Sequence, residues 1–424
     1  MKILKLSPYY EPEKISSSHL TEDMEKGFTD AGYEIEVICP QPTRGVDSEV
    51  RKKYKTVRTE TKRDGKITVH RFPMVREKRN PLLRALRYLL VNAVQKRKGC
   101  KAKNVDLIIG GSTPPTQGLL CAKVARKLSK KKGEKVPFIY NLQDIFPDSL
   151  VNAGMAKKGG LIWRIGRKME NRTYAGADRI VVISEDFKKN VMEKGVPAEK
   201  IVVIPNWVNT DNVFPVKRED NVLFDRYGLD RGKYYICYSG TVGHSQNLKL
   251  LLDTAQELST LLPDVRFVII GEGPAKKETA EEIAARGIEN VTMLPFQPYE
   301  EIAEVFSLGD AGLIISKPGV GQSSVPSKTF SVMAAARPII ASFDRESELC
   351  RLIEKTGCGV TANAGSKEEL IAAIGKLYRD RPFASAAGEA GRAYLKEHLD
   401  KDKCVGRYLE VMKEELEKTA NKGE

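Results

Sequence analysis

At 424 residues, 41% of them hydrophobic, the chain is long enough for two ordinary cores rather than one. Seven scattered cysteines without a C-x-x-C pair suggest neither a disulfide framework nor a zinc site, which fits a reducing, cytoplasmic setting. No stretch offers the roughly 18 apolar residues needed to span a bilayer, and a net charge of +14 calls for anionic partners: nucleic acid, anionic lipid or phosphorylated substrates.

The opening Met1–Ser7 is too short for a signal peptide and reads as a buried strand, Ile3–Leu6. An amphipathic helix follows over His19–Ala31. Its first residue, His19, stands at a strand-to-helix loop, where a histidine serves either packing or proton transfer. Strands Ile35–Cys39 and Ile67–Phe72 come next. From Arg76 to Lys103 there are ten Lys/Arg against one acid, Glu77. Within that stretch, apolar residues at 82, 83, 86, 89, 90, 93 and 94 have helical period, with Arg84 and Arg87 beside them. Such a helix either lies in the plane of an anionic membrane surface or packs on the core.

Strand Leu107–Ile109 runs into Gly110-Gly111-Ser112, and helix Gly118–Lys130 follows. Strand Phe138–Leu142 is followed by Asp144 and Asp148; Asp144 is the candidate base, while Asp148 precedes a helix and suits a cap. Strands Ile180–Ile183 and Ile201–Ile204 complete a first α/β series, and Asn206–Pro215 reads as a linker. Continuous β-branched runs indicate strands buried on both faces of a parallel sheet.

The pattern restarts with strands Tyr235–Tyr238, Phe267–Ile270, Val291–Leu294, Leu313–Ile315 and Ile339–Ala341. Two Rossmann-like domains, residues 1–210 and 211–393, are therefore expected to face each other across a cleft, with ligands at the carboxyl ends of the strands. Gly240 and Gly243 follow the first of these strands, and Gly271 and Gly273 the second; both pairs suit a close approach to phosphate. Lys317–Phe330 is rich in Gly and Ser and puts Lys328 at a helix start. A cation there opposes the helix dipole unless an anion faces it, so Lys328 either holds a diphosphate or points to solvent. The only literal D-x-D, Asp400-Lys401-Asp402, lies in the charged tail, so no metal and no cofactor is expected. The strands lack aromatic platforms, which argues against nucleic acid as the partner.

These residues also carry a family resemblance. Ser7-Pro8-Tyr9-Tyr10-x-Pro12, Asp144-x-Phe146-Pro147-Asp148, Ala177–Ser184 and Lys200–Val208 occur in order. Tyr238-Ser239-Gly240, Gly271-x-Gly273-Pro274 and Pro326-Ser327-Lys328 continue the series. In this order they resemble family 4 of the retaining glycosyltransferases, with the GT-B fold, and most of all the bacterial cell-surface polysaccharide branch that includes colanic-acid and O-antigen transferases. The resemblance implies a metal-independent transfer from a nucleotide-sugar donor, UDP-linked with GDP left open, held by the second domain. It implies a polyprenyl-diphosphate-linked saccharide acceptor on the first domain, at the inner face of the plasma membrane. It also implies a C-terminal helix, here 394–418, that packs back on the first domain.

Two departures stand out. The family's paired glutamates at the last loop correspond to Ser323 and Ser331, and its basic pair after Gly240 to Thr241 and Gln246 or Lys249. Lys328 is then expected to carry the diphosphate charge, with amides of Gly240, Gly243 and the Ser323–Ser324 loop sharing it. Phe296 is expected beside the nucleotide base and Ser331 beside the donor. The leaving phosphate or Asp144 takes the proton of the acceptor hydroxyl. A sugar-nucleotide epimerase or a non-catalytic binding subunit on the same fold are the alternatives.

Overall fold

The computed structural model describes residues 1–13, 18–77, 80–152, 156–319 and 325–421. It comprises two units, Met1–Pro205 with Cys404–Glu424, and Asn206–Lys403.

Unit 1 is built on eight strands: β1 (Lys2–Leu6), β2 (Glu34–Pro40), β3 (Thr59–Lys62), β4 (Ile67–Phe72), β5 (Leu107–Gly111), β6 (Phe138–Leu142), β7 (Arg179–Val182) and β8 (Ile201–Val203). Their order is β3-β4-β2-β1-β5-β6-β7-β8. All neighbours are parallel except β3, which pairs antiparallel with β4. The strand order reverses direction beside β1, so the loops after β1 and β5 flank the switch point where open α/β sheets take ligands. The steps β4 to β5, β5 to β6 and β6 to β7 all move the same way across the sheet. Right-handed crossovers therefore put helices Pro81–Gly99, Gln117–Lys132 and Leu161–Gly176 in one layer, the middle one packed against both others.

Helix Pro81–Gly99 packs on β1 and β2 through one side only. It turns Arg87, Val91 and Gln95 inward, while Leu83, Leu86, Leu89 and Leu90 are 44–58% exposed. The leucine stripe is not the core face. Arg87 does not flank it at the surface either: it is buried, donating to the Val75 carbonyl at 3.1 Å and the Thr43 hydroxyl at 3.1 Å, with Glu77 at 3.6 Å. Gln95 completes the inner face by donating to the Ser7 and Ile38 carbonyls at the ends of β1 and β2.

Unit 2 has six parallel strands, β9 (Tyr234–Ser239), β10 (Val265–Ile270), β11 (Val291–Leu294), β12 (Ala311–Ile315), β13 (Ile339–Phe343) and β14 (Gly359–Asn363), in the order β11-β10-β9-β12-β13-β14. Its switch point lies between β9 and β12. The buried runs Tyr234–Tyr238, Val265–Ile270 and Ala311–Ile315 are apolar on both faces because helices cover both sides of the sheet.

The tail is two helices, Arg381–His398 and Lys401–Ala420, not one over 394–418. The break falls where Asp400 bridges to Val208 and its carboxylate accepts from the Thr210 hydroxyl at 2.7 Å, a side-chain bond that competes with continuing the helix. The final helix belongs to unit 1: Arg179 pairs with Glu414 and Glu415 at 2.8 and 2.7 Å, and Tyr408 packs beside Phe28 with ring centroids 6.5 Å apart. Because Tyr408 is fully buried, Tyr408→Ala is expected to cost unit 1 about 3–5 kcal/mol in denaturant unfolding. A loss below about 1 kcal/mol would mean that the last helix is not part of that core.

Candidate functional site

The loops after β9 and β10 continue strand-like pairing beyond the sheet. The Gly240 amide donates to the Ile270 carbonyl at 2.9 Å, the Val242 amide to Glu272 at 2.9 Å, and the Ala275 amide to Val242 at 3.0 Å. This closeness is why Gly271 and Gly273 are glycines. A Cβ on Gly271 would stand 1.9 Å from the Gly240 carbonyl oxygen, and one on Gly273 2.2 Å from that of Val242. The Gly240 amide is therefore spent within the protein and is not offered to an anion, contrary to expectation; that of Gly243 has no partner among the described residues. The loop after β12 is tied from both sides. Lys317 donates its amide to the Ser245 carbonyl at 2.8 Å, and Gly319 its amide to the Asp344 carboxylate at 2.9 Å.

Lys328 opens the helix Lys328–Ala334 beside these loops. Its ammonium lies 4.0 Å from the ring centroid of Tyr238 and 3.3 Å from where a Cβ on Gly240 would be. The Tyr238 ring is fixed from behind, since its hydroxyl donates to the Thr241 carbonyl at 2.6 Å. No carboxylate pairs with Lys328 among the described residues. Burial of its amine lowers its pKa from 10.5 to about 7, even though part of the side chain reaches the surface. A desolvated amine with an aromatic face behind it and no anion in front is poised to take one.

Ser331 is one helical turn beyond Lys328 and half-buried. Phe296, just past β11, is 70% exposed. Ser323 and Ser324 lie outside the described residues. The replacements for a basic pair do not gather at this point: Lys249 stands between Asp253 and Glu282 at 3.6 and 3.7 Å, and Gln246 turns its side-chain oxygen toward Gly243. His244 is exposed, 3.8 Å from Glu278.

In unit 1, Asp144 follows β6. The Ser112 hydroxyl beyond β5 accepts from the Gln143 and Asp144 amides, both at 3.1 Å, which pins this loop at the switch-point side. Asp144 is exposed, yet partial burial of its carboxyl raises its pKa above the ordinary value, offset in part by a hydrogen bond with Ser149. Asp148 differs. Burial pushes it up, but Lys194 at 2.7 Å, with Asn190 and Trp163, outweighs that and holds it low, so Asp148 is a structural anchor. His19 is half-buried in the first turn of the helix Ser18–Asp30. Both tyrosines of the Ser7–Pro12 motif are tethers: Tyr9 bonds to Glu77 and Tyr88, and Tyr10 to Glu25 at 2.8 Å. Asp400 and Asp402 of the literal D-x-D engage Thr210 and Lys401.

Sequence reasoning missed the ring of Tyr238, the hydroxyl of Ser112 and the carboxylate of Asp344. Of these only Tyr238 left a signal, a polar-tipped aromatic at the last inward position of a central strand.

Comparison with known proteins agrees with this geometry. Residues 18–212 match the family model described as Glycosyltransferase Family 4, and residues 220–394 the model described as Glycosyl transferases group 1. The putative colanic acid biosynthesis glycosyl transferase WcaI of Escherichia coli K12 is 27% identical over 416 residues, 96% of this chain and 99% of the relative. Sucrose-phosphate synthase from Thermosynechococcus elongatus superposes with a TM-score of 0.73 at 14% identity, over 97% of this chain and 98% of its own. HepE from Anabaena, in complex with UDP-glucose, gives 0.69 at 17% identity, over 98% and 100%. The fold is GT-B.

The fit between the two glycine loops can be tested alone. Gly271→Ala places a methyl group inside the Gly240 carbonyl's contact distance, so it is expected to lower thermal stability and to displace the ring that seats Lys328. Wild-type melting and an unchanged amine pKa at Lys328 would show that the loops have slack.

Proposed function

The chain belongs to the glycosyltransferases that join a family 4 first domain to a group 1 second domain, and from that premise we propose that it moves a sugar from a nucleotide diphosphate to a lipid-linked saccharide, with retention at the anomeric carbon. The observation that carries this reading is Lys328, a desolvated amine seated on Tyr238 at the switch point of unit 2 and unpaired among the described residues. A diphosphate in front of it restores the proton that burial removes. As the glycosidic C–O bond breaks, negative charge grows on the leaving phosphate, and a preorganised cation there lowers the barrier by about 3 kcal/mol. That role needs no divalent metal. Ser331 and the Gly243 amide add neutral donors beside Lys328, and exposed Phe296 offers a face for the base.

On unit 1, Asp144 is the base we assign to the acceptor hydroxyl, with the leaving phosphate as the other proton acceptor and His19, in the first turn of helix Ser18–Asp30, as a second acceptor-side residue. A carboxyl held above its ordinary pKa is a stronger base than a solvated one. The hydroxyl attacks from the face that the phosphate leaves, which accounts for retention without a covalent intermediate. The name of WcaI supports a role in cell-surface polysaccharide synthesis, and the UDP-glucose complex of HepE supports a UDP-sugar donor. A polyprenyl-diphosphate acceptor would place the enzyme at the inner face of the plasma membrane.

Lys328→Met is expected to weaken binding of a UDP-sugar by about 1.5–3 kcal/mol in titration calorimetry. The sign of the pH effect follows from its lowered pKa. Free Lys328 loses its proton above about 7, whereas the bound diphosphate holds it on, so wild-type affinity falls as pH rises beyond that value. The variant's affinity should be flat over the same range. Equal affinities, or a wild-type affinity that rises with pH, would remove Lys328 from the donor site.

A transfer assay with labelled UDP-sugars and a polyprenyl-diphosphate saccharide tests the chemistry. Activity is expected to survive EDTA, and Asp144→Asn to lower kcat by a factor of about 100 or more with little change in donor KM. Loss to EDTA that only Mg²⁺ or Mn²⁺ reverses would refute the metal-free route. Normal turnover by Asp144→Asn would leave the proton to the leaving phosphate.

A further inference from the structure

The helix layer of unit 1 is apolar where a soluble layer is polar. Helix Pro81–Gly99 exposes Leu83, Leu86, Leu89 and Leu90 and buries Arg87 and Gln95. Two helices away, Leu161–Gly176 repeats the inversion with Leu161, Ile162 and Ile165, which are 57–75% exposed. Isolated surface leucines need no explanation, but two clusters in one layer do.

The helix between them, Gln117–Lys132, is basic along its outer side. Lys123, Arg126, Lys127 and Lys130 are exposed, and none is paired with a carboxylate among the described residues. Lys96, Arg97 and Lys98 close one flank in the same unpaired state, and Arg164, Lys168 and Arg172 the other. The three helices contain one acid, Glu170, and it is buried against Arg167, Tyr174 and Lys194. A surface with two apolar ridges, a cationic strip between them and no exposed carboxylate on any of the three helices is complementary to an anionic bilayer. The aliphatic side chains enter the acyl boundary and the cations meet the headgroups.

The geometry points to this three-helix layer as a membrane-docking face specific for anionic lipid, with helix Leu161–Gly176 a second insertion site across helix Gln117–Lys132 from helix Pro81–Gly99. This deepens the proposed function and rests on it only for the lipid-linked acceptor that such docking would serve. Trp163 lies on the second helix and is half-buried, while the only other tryptophan, Trp207, is buried, so tryptophan emission reports on that helix.

Vesicles of phosphatidylglycerol and of phosphatidylcholine provide the test. Wild-type protein is expected to sediment with the former at low salt, to release as salt rises, and to shift its emission to the blue; Trp163→Phe should bind without the shift. Leu86→Ser/Leu90→Ser, Ile162→Ser/Ile165→Ser and Lys123→Glu/Lys127→Glu/Lys130→Glu should each weaken binding at least about tenfold. All seven positions changed in these three variants are exposed, so melting temperature and UDP-sugar affinity should be unchanged. Wild-type protein left in the supernatant, as expected if an acidic protein covers this face, would overturn the inference. So would equal binding to phosphatidylcholine, or an intact affinity in the Ile162/Ile165 variant. Transfer to a detergent-dispersed acceptor separates the two readings: its failure in wild type would sink the proposed function without touching vesicle binding.

Discussion

The contact of the Lys328 amine with the Tyr238 ring, with no carboxylate paired to it among the described residues, is the constraint around which unit 2 is organised. Removing an amine from water is costly, and an aromatic face returns only part of that cost. The rest of the unit holds the arrangement in place. The order β11-β10-β9-β12-β13-β14 brings the ends of β9 and β12 together, Gly271 and Gly273 let two loops close on each other, and the Tyr238 hydroxyl locks to Thr241. Strain of this electrostatic kind is retained where a ligand relieves it.

Unit 1 distributes its charge in the opposite way. Four of its glutamates face inward: Glu25 takes Lys5 and Tyr10, Glu77 takes Tyr9 and Arg84, Glu170 takes Lys194 and Tyr174, and Glu13 accepts from the Thr43 and Arg44 amides. These bonds fix the loops beyond β1 and the approach to helix Pro81–Gly99. They also withdraw acids from the surface, so the net charge of +14 is felt most strongly on the outer helix layer. One pattern of buried carboxylates thus both rigidifies the unit and polarises it.

The α/β series was legible because doubly buried strands such as Phe138–Leu142 and Val265–Ile270 must be continuously apolar. The edge strand Thr59-Glu60-Thr61-Lys62 was not, since it has no apolar residue and pairs on one side only. Periodicity located helix Pro81–Gly99 but could not orient it, because a stripe has the same spacing whether it faces a core or the outside; Glu77 and Thr43 decided the matter by drawing Arg87 inward. The tail break at Asp400 depends on Thr210, far away in sequence. At the site, a lysine after a Gly/Ser-rich loop was visible, whereas its aromatic seat and the engaged Gly240 amide arise from tertiary pairing that no local window contains.

The most direct measurement is the ionisation of the Lys328 side chain itself, followed by NMR in selectively labelled protein with and without a UDP-sugar. The expected result is a pKa near 7 in the free protein that rises by several units when the nucleotide binds. A value at the ordinary lysine level of about 10.4 in the free protein, unmoved by nucleotide, would contradict a desolvated amine waiting for a diphosphate.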